Sequence, residues 1–147
     1  MIQEHIFSQK IQRKRKEIVL VESHDAFADL LREVVWQETS CKIFRVSTGE
    51  QALRIVPQLR PDLLIVNFQL SDMTGVAVFE QLHTIQDLVS LPIILLSTHQ
   101  LWTRTGPSPS ICVDQPLNVD DLLQIIAAAL GEDIWAASSH RGVTRWQ

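Results

Sequence analysis

Short apolar runs alternate with longer amphipathic segments along most of the chain. The runs carry Val, Ile and Leu on consecutive positions, and this pattern is typical of parallel strands that are covered on both faces. Most of them end in polar residues. The pattern predicts five strands, at residues 17–23, 41–47, 62–67, 91–97 and 110–116.

The segments between these runs place apolar residues at helical spacing. They predict helices at residues 24–38, 47–56, 75–86 and 118–130. Ser23 or Asp25 is expected to cap the first helix, and Asn118 the last, because short polar side chains satisfy the free amides of a first turn. Pro57 is expected to end or kink the second helix near Val56, since proline has no amide hydrogen to donate.

Strands that alternate with helices predict an α/β fold. The expected architecture is a doubly wound, five-stranded parallel sheet with helices on both faces, joined by right-handed crossovers. Residues 98–110 depart from the pattern because they contain two prolines and a glycine. The helix between the fourth and fifth strands is therefore predicted to be shortened or irregular.

Length and composition indicate one globular domain. The chain has 147 residues, 46% of them hydrophobic and 20% charged, and no apolar run reaches the length of a membrane span. The start of the chain does not resemble a secretory signal, so a cytoplasmic location is expected. Residues 1–16 are interpreted as a basic leader, 17–131 as the folded domain and 132–147 as a tail.

Charge and cysteine content exclude several classes of function. A net charge of −4 does not favour nucleic-acid binding by the whole chain. Cys41 and Cys112 are far apart and lack metal-site spacing, so both are expected to be buried and to form neither a disulfide nor a zinc site. Trp36 is expected to be partly buried at the end of the first helix.

The ends of the predicted strands carry a set of oxygen-bearing side chains. In a doubly wound sheet, ligands bind beyond the carboxyl ends of the strands, near the point where the strand order reverses. The residues expected at this edge are Glu22, Ser23, Asn67, Ser97, Asp114 and Gln115.

Four segments at these strand ends resemble the response-regulator receiver domain, the CheY-like, flavodoxin-like module that two-component systems phosphorylate on an aspartate. The segments are IVLVES, PDLLIVNFQLSDMTG, PIILLST and VDQPL. Their intervals also fit, with 45 positions from Glu22 to Asn67 and 30 from Asn67 to Ser97. The resemblance covers about residues 17–130.

The resemblance assigns roles that this chain fills only in part. The two acidic residues that help to bind Mg²⁺ correspond to Glu22 and Ser23, so one carboxylate is missing. The phosphoacceptor aspartate corresponds to Asn67, whose amide cannot form an acyl phosphate. Because Mg²⁺ prefers carboxylate oxygens, no metal site is expected, and Glu22 is only a weak candidate ligand.

The remaining family positions are also altered. Ser97 matches the Ser/Thr that contacts the phosphoryl group, but Gln115 replaces the lysine that pairs with it. Cys112 takes the place of the aromatic residue that changes position on activation. Pro116 is kept, and the resemblance leaves a cis bond between Gln115 and Pro116 open.

These departures predict a pseudo-receiver: a non-enzymatic signal-transduction domain that acts by phosphorylation-independent binding to proteins. A histidine kinase or another regulator is the expected partner, and a homodimer is also open. Two alternatives remain at this point. One is a working phosphorelay receiver with an atypical acceptor site, and the other is a domain that senses a small ligand in its neutralised pocket.

Overall fold

The computed structural model describes residues 15–97, 110–114 and 118–136. Its strands and helices are β1 (Glu17–Val21), α1 (Asp25–Glu38), β2 (Lys42–Val46), α2 (Gly49–Leu59), β3 (Leu63–Asn67), α3 (Gly75–Leu82), β4 (Ile93–Ser97), β5 (Ser110–Asp114) and α4 (Val119–Leu130). No helix in these ranges is long and apolar enough to cross a membrane.

The five strands form one parallel sheet in the order β2-β1-β3-β4-β5. From β1 the chain first crosses to β2 on one side of β1 and then to β3 on the other side. The strand order therefore reverses at β1. Val21 at the end of β1 pairs with Val46 and Val66. The residues that follow β1 therefore lie beside the end of β3. The predicted doubly wound, flavodoxin-like fold is confirmed.

Alternate residues of each central strand supply two separate cores. In β1, Ile18 and Leu20 pack with apolar residues of α1 and α4, while Val19 and Val21 pack with those of α2 and α3. All four are fully buried, and each such side chain stabilises the fold by about 1.5–3 kcal/mol. Helices on both faces explain why the strands are apolar on consecutive positions.

The prediction for the cap of α1 is wrong. His24 occupies the N-cap position, and its Nδ1 accepts a hydrogen bond from the Phe27 amide at 3.4 Å. Ser23 does not cap the helix because its hydroxyl bonds elsewhere, and Asp25 is the first helical residue. The cap of α4 is confirmed, since Asn118 Oδ1 accepts from the amide of the third residue beyond it at 3.1 Å.

Helix α2 does not end near Val56, where Pro57 was expected to end or kink it. The helix passes through Pro57 and ends at Leu59, and the Arg60 amide then donates to Val56 O at 2.8 Å. Arg60 adopts a left-handed conformation with φ of 52°, which stops the helix. Proline removes one helical hydrogen bond, but the burial of Ala52 and Val56 keeps the helix against the sheet.

Helix α3 is shorter than the predicted 75–86. It ends at Leu82, and the Thr84 hydroxyl donates to Gln81 O at 2.7 Å, a local bond that competes with a further helical turn. A short 3-10 helix, Gln86–Leu88, follows. The predicted irregular helix between β4 and β5 falls on residues outside the described ranges.

Two predicted side-chain environments can be compared with the structure. Trp36 is 69% exposed, so the prediction of partial burial is wrong: it lies on the outer face of α1. Cys41 is buried as predicted, and this burial raises the pKa of its thiol, which favours the protonated form. The side chain of Cys112 is not among those described.

The chain beyond α4 folds back against α1. The Ser40 amide donates to Ile134 O at 2.7 Å, and the Ala136 amide donates to Glu38 O at 3.0 Å. Ile134 is buried in the core on the α1 and α4 side. The first part of the predicted tail, as far as Ala136, thus contacts the domain. Residues 137–147 and 1–14 lie outside the described part of the chain.

Candidate functional site

The ends of β1 and β3 bring Glu22 and Asn67 into direct contact. Asn67 Nδ2 donates a hydrogen bond to Glu22 Oε1 at 2.7 Å. The other carboxylate oxygen, Oε2, accepts from the amide of His24 at 3.0 Å. Glu22 is only 1% exposed, so both of its oxygens are held by donors of the chain in a place that water hardly reaches.

The orientation of the Asn67 amide follows from its neighbours. A carboxylate oxygen only accepts hydrogen bonds, so the NH₂ group must face Glu22. The amide oxygen then points to the β3–α3 loop, where it accepts from the Gln69 amide at 3.3 Å. Asn67 therefore joins the carboxylate to the loop, a task that needs one donor and one acceptor and that an aspartate could not perform in its ionised form.

Ser23 ties two further segments to this pocket. Its hydroxyl donates to Ser47 O at 2.6 Å and accepts from the Ser71 amide at 3.0 Å. Ser47 follows β2, and Ser71 lies in the β3–α3 loop. The Ser23 hydroxyl is thus engaged both as donor and as acceptor, and it holds the loop against the end of β2.

Arg45 is a member of this site that the sequence reasoning missed. Its guanidinium donates to the Glu22 carbonyl oxygen through Nε at 2.8 Å and Nη2 at 2.6 Å, and Nη2 also donates to Asp25 Oδ1 at 2.8 Å. The one available signal is a charged residue in the middle of the predicted strand 41–47. Because Asp25 is largely exposed, the bonds to Glu22 matter more here than the ion pair.

Gly75 closes the back of the pocket. Its amide donates to Phe68 O at 2.6 Å, and a Cβ atom at this position would lie only 2.4 Å from Asn67 O. It would also lie 2.8 Å from Leu95 Cδ1. Only a residue without a side chain permits this close approach of the start of α3 to the end of β3.

Asp72 attaches the β3–α3 loop to the first turn of α2. Its Oδ1 accepts from the Gly49 amide and its Oδ2 from the Glu50 amide, each at 2.9 Å. These backbone N–H groups favour the ionised carboxylate and hold the pKa of Asp72 below its usual value. The positive end of the helix dipole acts in the same direction.

We expect the Asp72 carboxylate to make the domain less stable in acid. Because its pKa is lowered by folding, its contribution is fully present above the unfolded value of about 3.9 and is lost as pH falls through the folded value. Urea unfolding at neutral pH and near pH 3 should show a smaller acid loss for Asp72→Asn than for the wild type. Equal losses in the two proteins would contradict this role.

The structure brings together three of the predicted site residues: Glu22, Ser23 and Asn67. Ser97 ends β4, the strand next to β3, and Cys112 lies in β5, where it pairs with Leu95. Nothing is described of the side chains of those two residues. Gln115 and Pro116 fall outside the described residues, so their roles stay predictions.

No group of three or more His, Cys, Asp or Glu side chains that could hold a metal ion occurs among the described residues. In the described part of the pocket, the Glu22 carboxylate accepts from the side-chain amide of Asn67 and the backbone amide of His24, and the Arg45 guanidinium donates to the Glu22 carbonyl oxygen. The chemistry of this part of the pocket is therefore that of a closed hydrogen-bond network.

Comparison with known proteins gives the same assignment as the fold. The profile of the response regulator receiver domain matches residues 18–104, more than half of the chain. The polar-differentiation response regulator DivK of Brucella anthropi is 23% identical over 122 residues, which cover 80% of this chain and 98% of that protein.

Solved structures show the same architecture. The receiver domain of a sensor histidine kinase from Pseudomonas aeruginosa, with a magnesium ion coordinated in its active-site cleft, has a TM-score of 0.65 at 18% identity, over 80% of this chain and 98% of that one. A CheY-like receiver domain from Methylobacillus flagellatus has a TM-score of 0.67 at 17% identity, over 79% and 99%. With the fold, the profile match and the site position in agreement, the chain belongs to the response regulator receiver domain family.

Proposed function

We propose that this receiver domain acts in signal transduction as a pseudo-receiver, through protein contacts that do not depend on its phosphorylation. The observation that carries the proposal is the 2.7 Å hydrogen bond from Asn67 Nδ2 to Glu22 Oε1. At the position where the family has a phosphoacceptor carboxylate, this chain has an amide that donates to the neighbouring acid. Receiver domains are signalling modules, and we propose no catalytic activity for this one.

The side chains that the structure describes in the pocket do not fit a magnesium ion. Mg²⁺ requires a near-octahedral set of hard oxygen ligands, usually with carboxylates among them. Both oxygens of Glu22 accept from donors of the chain, and the Ser23 hydroxyl is engaged by its own two partners. Asn67 directs an N–H group toward Glu22. The two side chains therefore do not both present an oxygen to a shared cation.

The described side chains of the pocket also offer no carboxylate at the acceptor position to act as the nucleophile for phosphoryl transfer. Receiver phosphorylation needs a carboxylate that attacks phosphorus and cations that offset the charge on the transferred oxygens. A carboxamide oxygen is a poor nucleophile, and the Asn67 oxygen already accepts from Gln69. The predicted replacement of the family lysine by Gln115 removes a cation as well. These changes support a domain whose partners recognise one constant state.

Incubation with acetyl phosphate and Mg²⁺, followed by intact mass spectrometry, tests this proposal. We expect no added phosphoryl group on the wild-type chain, while a receiver with the full acidic set is modified in a parallel reaction. We also expect a histidine kinase or other regulator that binds the domain to be captured equally with and without acetyl phosphate. A stoichiometric adduct would instead support the phosphorelay receiver with an atypical acceptor.

A further inference from the structure

Strand β2 leaves one edge of the sheet open. It is the last strand on its side, and the described part of the chain contains no strand that pairs with its outer edge. The Lys42 amide donates to Lys16 O at 2.8 Å, and Val46 O accepts from the Glu22 amide at 3.0 Å, so both residues turn their backbone groups toward β1. Backbone direction alternates along a strand, so Ile43 and Arg45 direct their N–H and C=O groups outward.

Apolar side chains accompany this open edge. Phe44 is 38% exposed and Trp36 is 69% exposed, both high values for such large aromatic residues. Between β2 and the outer face of α1 lies a groove of about 620 Å³. Its walls include Phe44 and Ile43 on the strand and Trp36, Arg32 and Glu33 on the helix. Exposed edge amides beside exposed aromatics are the features of a surface that pairs with another strand.

We propose that this surface is the interface of a symmetric homodimer, in which β2 of a second copy adds antiparallel to β2 of the first. The two-fold axis passes through Phe44. Ile43 of one copy then lies opposite Arg45 of the other, and each such pair exchanges two backbone hydrogen bonds. Phe44 faces its own symmetry mate as a non-hydrogen-bonded pair, the arrangement that brings cross-strand side chains closest.

The helices support the same arrangement. Leu31 and Val35 of α1 pack with Ile18 and Ile43, so α1 lies over β1 and β2. With strands about 4.8 Å apart, the two copies of α1 come to lie about 10 Å from each other on the same face of the joined sheet. This is close to the interaxial distance of packed helices, 8–10 Å, so the groove is where α1 of the second copy fits.

Charges on the groove face of α1 are also self-complementary. Asp29, Arg32, Glu33 and Trp36 share this face because they are spaced three, four and seven positions apart. When two such faces meet antiparallel, Arg32 of each copy lies opposite an acidic residue of the other, and the two Trp36 rings flank the contact. The β2 register is centred on a single aromatic residue, and the groove face of α1 carries alternating charges. Both features fit a second copy of this chain as the partner. This dimer does not depend on the pseudo-receiver proposal.

Position-specific disulfide trapping tests the dimer. In the proposed register the two Cβ atoms at position 44 lie about 5 Å apart, near the range that a disulfide requires. Phe44→Cys should therefore form a cross-linked dimer under mild oxidation. The two Lys42 residues, displaced by four positions, would lie roughly 13 Å apart, so Lys42→Cys alone should not cross-link. Lys42→Cys mixed with Val46→Cys should, because these two positions face each other.

The unmodified chain supplies the background, since it carries both native cysteines, Cys112 and the buried Cys41. Sedimentation equilibrium of the wild type should show mass rising toward a dimer with concentration. Phe44→Lys should weaken association by about tenfold or more, through like charges and a lost aromatic pair. If the wild type stays monomeric at millimolar concentration and the Phe44→Cys variant does not cross-link, the proposal is overturned, whatever else covers the groove. Equal cross-linking of the Phe44→Cys and Lys42→Cys variants would also overturn it.

Discussion

Asn67→Asp is expected to lower the free energy of unfolding by about 3 kcal/mol at pH 7, because it places a second carboxylate against a buried one. The wild-type amide donates to Glu22 Oε1 at 2.7 Å, and Glu22 is almost fully buried. The variant loses this donor and gains a repulsion at the same distance. The midpoint of urea unfolding at pH 7, compared with that of the wild type, measures this loss.

The matched control exchanges the two chemical groups. In the double variant that combines Glu22→Gln with Asn67→Asp, the amide directly follows β1 and the carboxylate ends β3, so one donor again faces one acceptor. We expect this double variant to recover at least half of the stability that Asn67→Asp loses. Such a recovery would appear as a coupling free energy between the two sites. Additive losses from the two substitutions would contradict a direct bond between these side chains.

Gly75→Ala is expected to destabilise the domain by about 2–3 kcal/mol, because a methyl group here would collide with backbone that cannot easily move. The new Cβ would lie 2.4 Å from Asn67 O and 2.8 Å from Leu95 Cδ1. Relief of this contact requires α3 to shift away from the end of β3. The change in unfolding free energy can be read from the midpoint of chemical denaturation.

Gly49→Ala is the control for this prediction. A Cβ at Gly49 would also be crowded, at 2.5 Å from Met73 Cγ and 2.6 Å from Met73 Sδ, but these atoms belong to a flexible side chain. Alanine also favours the helix that begins there. We expect the Gly49→Ala loss to stay below about 1 kcal/mol. Equal losses at Gly49 and Gly75 would show that the approach to Asn67 is not specially constrained.

The fold could be predicted because its signal repeats along the chain. Each strand is a continuous apolar run and each described helix has an apolar stripe, so the alternation alone predicts a doubly wound sheet. The ends of β1 and β3 then had to meet, which placed Glu22 next to Asn67. Errors occurred where tertiary contacts overrode local preference. Pro57 stays helical because α2 packs on the sheet, and Ser23 caps no helix because its hydroxyl bonds to Ser47 and Ser71.

The internal bonding of the site could not be predicted in the same way. Sequence spacing puts Asn67 at the acceptor position, but it does not say that the amide donates to Glu22 and accepts from Gln69. That depends on the direction of each donor once the strands are in register. Arg45 was missed for the same reason: its partner is a backbone carbonyl, which leaves no trace in the sequence.

The central claim is that the pocket has lost phosphorylation as a unit, and not through Asn67 alone. Intact mass spectrometry of Asn67→Asp after incubation with acetyl phosphate and Mg²⁺ tests it most directly, with circular dichroism to verify that the variant is folded. We predict no added phosphoryl group, because Ser23 and Gln115 still replace the metal-binding acid and the lysine of the family. Robust phosphorylation of this single variant would contradict the account.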